Sequence, residues 1–77
     1  MYKYIVVQSE YKSGNKSLIE YGIALIEEYD ETFAILDVIP NVSLDAAEIK
    51  NLVKLCNQAQ LDPIHLKDVI DDFLADN

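Results

Sequence analysis

Apolar and polar positions change period partway along this chain, from a strand-like alternation to a helical repeat. Tyr2 to Glu10, Leu18 to Glu28 and Thr32 to Ile39 are rich in β-branched, aromatic and aliphatic residues and predict three strands. A polar loop, Tyr11 to Ser17, separates the first two, with Gly14 and Asn15 at its centre. Tyr29-Asp30-Glu31 predicts the second turn. Pro40-Asn41 predicts the end of the third strand, because proline cannot donate to a ladder. Such short connections imply an antiparallel meander in the order 1-2-3.

After Leu44 the repeat is helical. Asp45 and Glu48 have the spacing of a capping box, and Leu44 with Ile49 that of a hydrophobic staple. Ile49, Leu52, Val53, Cys56 and Ala59 then line one side of a first helix, about residues 45–59. A tight corner, Gln60-Leu61-Asp62-Pro63, leads into a second helix, about residues 63–75. Asp62 is its predicted N-cap, Pro63 its first residue, and Leu61 is stapled to Leu66. Its stripe is Leu66, Val69, Ile70, Phe73 and Leu74. The predicted fold is α+β: a three-stranded antiparallel β-meander (sheet in 2–39) followed by two α-helices packed on one face, in a single small domain, 1–77.

The sheet has more apolar residues than one covered face needs. Ile5, Val7, Ile19, Tyr21, Ile23, Leu25, Ala34, Leu36 and Val38 are expected beneath the helices. The other face then holds Tyr2, Tyr4, Val6, Ala24, Ile26, Phe33, Ile35 and Ile39, relieved by Gln8, Glu20, Glu28 and Asp37. That is too apolar to stay wet over a contiguous area, so Tyr4, Val6, Phe33, Ile35 and Ile39 are candidate contact residues. A slip of one residue in any strand exchanges its two faces.

Composition narrows the partners. Fourteen acidic residues against six lysines, with no arginine, give a net charge of −8 over 77 residues. Phosphate contacts need Lys and Arg, so direct nucleic-acid binding is not expected, and anionic membranes repel such a chain. No apolar run approaches the roughly 20 residues of a membrane span, and no signal-peptide pattern opens the sequence, so a cytoplasmic protein is expected. One cysteine cannot form an internal disulfide, and one cysteine with one histidine makes a poor zinc set. For so short a chain, self-association is the remaining route to extra stability.

The sharpest local oddity is acidic. His65, Asp68, Asp72 and Asp76 fall in one stripe of the second helix at ~100° per residue. His65, Asp68 and Asp72 could hold a divalent metal; the plainer reading is a solvated helix face, because a competent site needs more ligands and a second element. Asp71, Asp72 and Asp76 lie near the negative end of the helix dipole, where acids are unfavourable. Attraction to Lys or Arg on a protein partner would compensate. Cys56, inside the first stripe, reads as a buried inert thiol, and Asn57 as a residue that caps the turn or hydrogen-bonds the corner. Gly14 and Gly22 form no phosphate loop, and nothing builds a catalytic triad or names a cofactor.

Tyr21-Gly22-Ile23, Ile35-Leu36-Asp37-Val38, Leu52 to Asn57 and Leu61 to Leu74 together resemble an uncharacterised family of small proteins from clostridial Firmicutes. The resemblance covers nearly the whole chain and is most specific in its C-terminal third. It implies a complete bacterial cytosolic protein and carries no activity or functional residue across. The function expected is a small acidic, non-catalytic interaction or regulatory module. It would be a homodimer through the open sheet face or a strand edge, with a protein partner that has a basic surface. The alternatives are a metal- or ligand-responsive regulator using His65, Asp68 and Asp72, and an acidic mimic of nucleic acid, against which the even spread of charge argues.

Overall fold

Two-residue turns let the polar ends of the strands pair, so each strand runs longer than its apolar stretch. The computed structural model describes residues 1–76. β1 (Tyr2–Ser13), β2 (Lys16–Tyr29) and β3 (Thr32–Ser43) form an antiparallel sheet in the order β1-β2-β3. α1 (Ala46–Gln58), a 3₁₀ turn (Pro63–His65) and α2 (Leu66–Ala75) follow. This is the α+β architecture that the sequence predicts. Ser13 pairs with Lys16, so the expected seven-residue loop shrinks to Gly14-Asn15, with Gly14 at φ 61°. Tyr29 pairs with Thr32 across Asp30-Glu31.

β3 does not stop at Pro40. Ile23 lies opposite Ile39 and Tyr21 opposite Ser43, so Pro40, Asn41 and Val42 bulge out against Gly22 alone. An edge strand with a bulge tolerates proline because no ladder bond is asked of its nitrogen. The bulge lies directly over Gly22: a Cβ there would meet the Ile39 carbonyl oxygen and sit 2.7 Å from Pro40 Cα. Val42, beyond the proline, turns into the core.

Opposed residues on neighbouring strands share a face. Tyr4 opposes Leu25, and Ile23 opposes both Val6 and Ile39. Tyr4, Ile23, Leu25 and Val42 pack with Ile49, Val53, Cys56, Leu66 and Ile70, and Val6, Tyr21, Ile39, Leu61 and Phe73 lie against them. This corrects the expected faces. Tyr4, Val6 and Ile39 lie beneath the helices, whereas Ile5, Val7 and Val38 belong to the other side. In β1 both parities are apolar, so the pattern alone does not choose. In β3 the register shifts: Leu25 opposes Asp37 but Ile26 opposes Ile35, leaving Leu36 unpaired. That bulge splits Phe33 and Ile35 from Asp37 and Ile39, which strict alternation would have kept together.

The helix starts follow the sequence with two differences. Asp45 accepts from the N–H groups of Ala47 (2.9 Å) and Glu48 (3.2 Å). Glu48 does not reach back to Asp45 directly. The Asp45 N–H donates to Ser43 Oγ (3.0 Å), and that hydroxyl donates to Glu48 Oε2 (3.3 Å), so Ser43 relays the box. Leu44 stays 62% exposed rather than stapling Ile49. Asp62 caps the second start through Ile64 N–H (3.1 Å), but the first turn is 3₁₀ rather than α.

Candidate interface on the uncovered sheet face

One side of the sheet carries both helices, and among the described residues no element covers the other. Register places Lys3, Ile5, Val7 and Tyr11 of β1 on that side, with Leu18, Ala24 and Ile26 of β2 and Phe33, Ile35 and Val38 of β3. Ala24 and Ile26 are buried at its centre between the flanking strands, even without a helix above them. Around them Phe33, Ile35 and Val38 are 59%, 60% and 45% exposed.

Polar bridges fence the patch at both ends. At one end the Tyr11 hydroxyl donates to Asn41 Oδ1 (2.8 Å), joining β1 to the β3 bulge. At the other, Lys3 Nζ lies 3.6 Å from Glu28 Oε1, an exposed pair worth little in itself. The charged strand residues on this face are two lysines, Lys3 and Lys16, and two glutamates, Glu20 and Glu28. The face is therefore neutral, and the rest of the chain holds the whole −8. Of the contact candidates that the sequence suggests, Phe33 and Ile35 lie exposed on this face. The other three, Tyr4, Val6 and Ile39, are interior residues instead.

Both sheet edges are interrupted. Beside β1, Asn57 Oδ1 accepts from Tyr4 N–H (2.8 Å) while its Nδ2 donates to Tyr4 O (2.9 Å). The amide thus occupies the outward backbone groups of an edge strand as a further strand would. The Tyr4 hydroxyl donates to Leu61 O (2.8 Å) at the helix corner. A hint of this clamp lay in the sequence: asparagine is a poor helix-interior residue, and Asn57 stands beside the buried stripe. On β3 the two bulges, Pro40 and the charged Asp37 blunt the edge.

Next to the clamp lies a groove of about 790 Å³, lined by Met1, Tyr2, Tyr4, Asn57, Gln60 and Asp62 among others. Two groups beside it, the Tyr4 hydroxyl and the Cys56 thiol, are favoured in their protonated forms. Burial pushes the Tyr4 hydroxyl above its ordinary 10.0, with Cys56 and Asp62 adding to the effect. Burial also pushes the Cys56 thiol above 9.0. The Tyr4 hydroxyl is already engaged by Leu61 O, and the Cys56 thiol is not an activated nucleophile.

Asp68, Asp71 and Asp72 are exposed on α2, Asp76 is exposed at its C-cap, and His65 is exposed in the 3₁₀ turn before it. Among the described residues, no group of three or more His, Cys, Asp or Glu is placed to hold a metal ion. No helix among them is long and apolar enough to cross a membrane.

The geometry defines a two-layer α+β protein with a one-sided sheet and an apolar, neutral, fenced face. The chain belongs to the family of unknown function DUF6514, whose model matches residues 1–76. No curated protein and no solved structure matches it.

Proposed function

We propose that the protein acts by contact, as a small acidic interaction or regulatory module whose interface is the uncovered sheet face. The exposed Phe33, Ile35 and Val38 around a buried Ala24 and Ile26 carry this reading. Apolar area on a protein costs about 25 cal/mol per Å² while it stays wet, so a contiguous patch favours a covering surface. The acids of α2 lie on the helix layer. They leave the sheet face free and suit long-range attraction of a protein partner with a basic surface.

Site-specific photo-crosslinking tests the reading. A photoreactive residue replaces Ile35, or Lys50 on the exposed side of α1 as the control, in cells expressing the full chain. Position 35 should give a covalent adduct to a polypeptide, its own chain or another, and position 50 none. A chain that remains uncrosslinked at position 35 refutes the reading.

A further inference from the structure

We infer that the covering surface is a second copy of this chain, packed face to face in a closed helix–sheet–sheet–helix dimer. This rests on the uncovered face being an interface, and it names the occupant. The first support is area. The chain exposes 5642 Å², whereas a compact monomer of 8.7 kDa exposes about 4,700 Å². The excess of about 900 Å² is close to the roughly 800 Å² that each partner buries in a stable interface. Shape agrees: the extents are 42 × 32 × 18 Å and the radius of gyration is 13.4 Å, against about 11.5 Å for a compact chain of this length. The shortest extent fits one helix layer on one sheet.

The second support is charge. Two chains of −8 repel wherever their acids meet. The uncovered apolar face is also neutral, so two copies can meet there without bringing like charges together. A strongly basic partner would gain nothing from this face and would be drawn to the helix layer instead.

The third support is the state of the edges. The Asn57 amide fills the outward hydrogen-bonding groups of Tyr4, and bulges, Pro40 and Asp37 interrupt β3. Edge-to-edge growth into a continuous sheet is obstructed at Tyr4 on β1 and along β3, whereas a face-to-face pair is closed by its own symmetry.

Analytical ultracentrifugation of the full chain from about 1 to 200 μM decides the matter, with Ile35→Glu and Phe33→Lys beside it. Both positions are more than half exposed, so both variants should fold, as circular dichroism would verify. The parent chain should sediment as two copies; Ile35→Glu, beside the central Ile26, should weaken the dimer at least about 30-fold, and Phe33→Lys, nearer the patch edge, by a smaller factor. A parent chain that stays monomeric while position 35 crosslinks to another polypeptide overturns the second copy and leaves the interaction reading standing. A monomer with no adduct at position 35 overturns both. A dimer that both folded variants preserve places self-association elsewhere and also overturns the inference.

Discussion

Replacing Asn57 by alanine removes both hydrogen bonds of the edge clamp at once. Each such bond contributes about 0.5–1.5 kcal/mol net, more where the partner left behind cannot reach water. Tyr4 is 2% exposed and both contacts are partly buried, which places the loss toward the upper end, about 2–3 kcal/mol for the two. Alanine is the better helix former and returns about 0.6 kcal/mol. The expected net loss is about 2 kcal/mol, a shift in Tm of roughly 8–16 °C for a domain of this size. Urea unfolding of parent and variant at one protein concentration measures it, because a dimer makes the midpoint concentration-dependent. Asn57→Asp sharpens the test. It keeps the acceptor for Tyr4 N–H but sets a carboxylate against the Tyr4 carbonyl, which only the protonated acid can satisfy. The folded pKa of that acid is then raised, so the variant should be relatively most stable below about pH 4 and lose stability as pH rises through the folded value. A loss below about 0.5 kcal/mol for Asn57→Ala, with an unchanged denaturant slope, would show that water replaces the clamp freely and would refute the reasoning.

Three further outcomes follow from single positions. Gln60 ends α1 at φ 50° in a Schellman arrangement, with Leu61 N–H on Cys56 O (3.0 Å) and its own N–H on Asn57 O (3.2 Å). Gln60→Gly should therefore stabilise by about 1 kcal/mol in urea unfolding. Gly22→Ala should destabilise by about 3 kcal/mol, at the upper end for overpacking, because the added Cβ meets β3 backbone rather than a movable side chain. Tyr4 and Cys56 both have folded pKa values above their ordinary 10.0 and 9.0. Their contribution is complete below the unfolded values and is lost as pH rises through the folded ones. The urea midpoint should fall as pH rises above about 9, and Tyr4→Phe should flatten the upper part of that fall.

Much of the fold is legible in short stretches. Gly14-Asn15 turns the first hairpin, Asp45 and Asp62-Pro63 start the helices, and the 3-4 spacing from Ile49 to Cys56 marks the buried side of α1. Each is set by backbone conformations and hydrogen bonds within a few residues, so local sequence is sufficient. Phe33 and Ile35 were also recognisable as contact candidates, because β3 has more apolar positions than one covered face can use. The acidic residues were equally visible, but their exposure on α2 shows where they are rather than what they meet.

The faces of the sheet were settled only in three dimensions. Tyr4-Ile5-Val6-Val7 is apolar at every position, so a strand of period two fits either way up. The choice was made by Tyr4, whose ring enters the core, whose hydroxyl reaches Leu61 and whose backbone is held by Asn57, 53 residues away. Likewise β3 passes through Pro40 because Gly22, on another strand, leaves room for it, and the Leu36 bulge reverses which residues face the helices. The sequence by itself determined the elements, their order and the helix starts, through interactions that are near in the chain. The tertiary structure decided which apolar face was buried and which was left uncovered, because that balance depends on contacts between residues far apart in sequence.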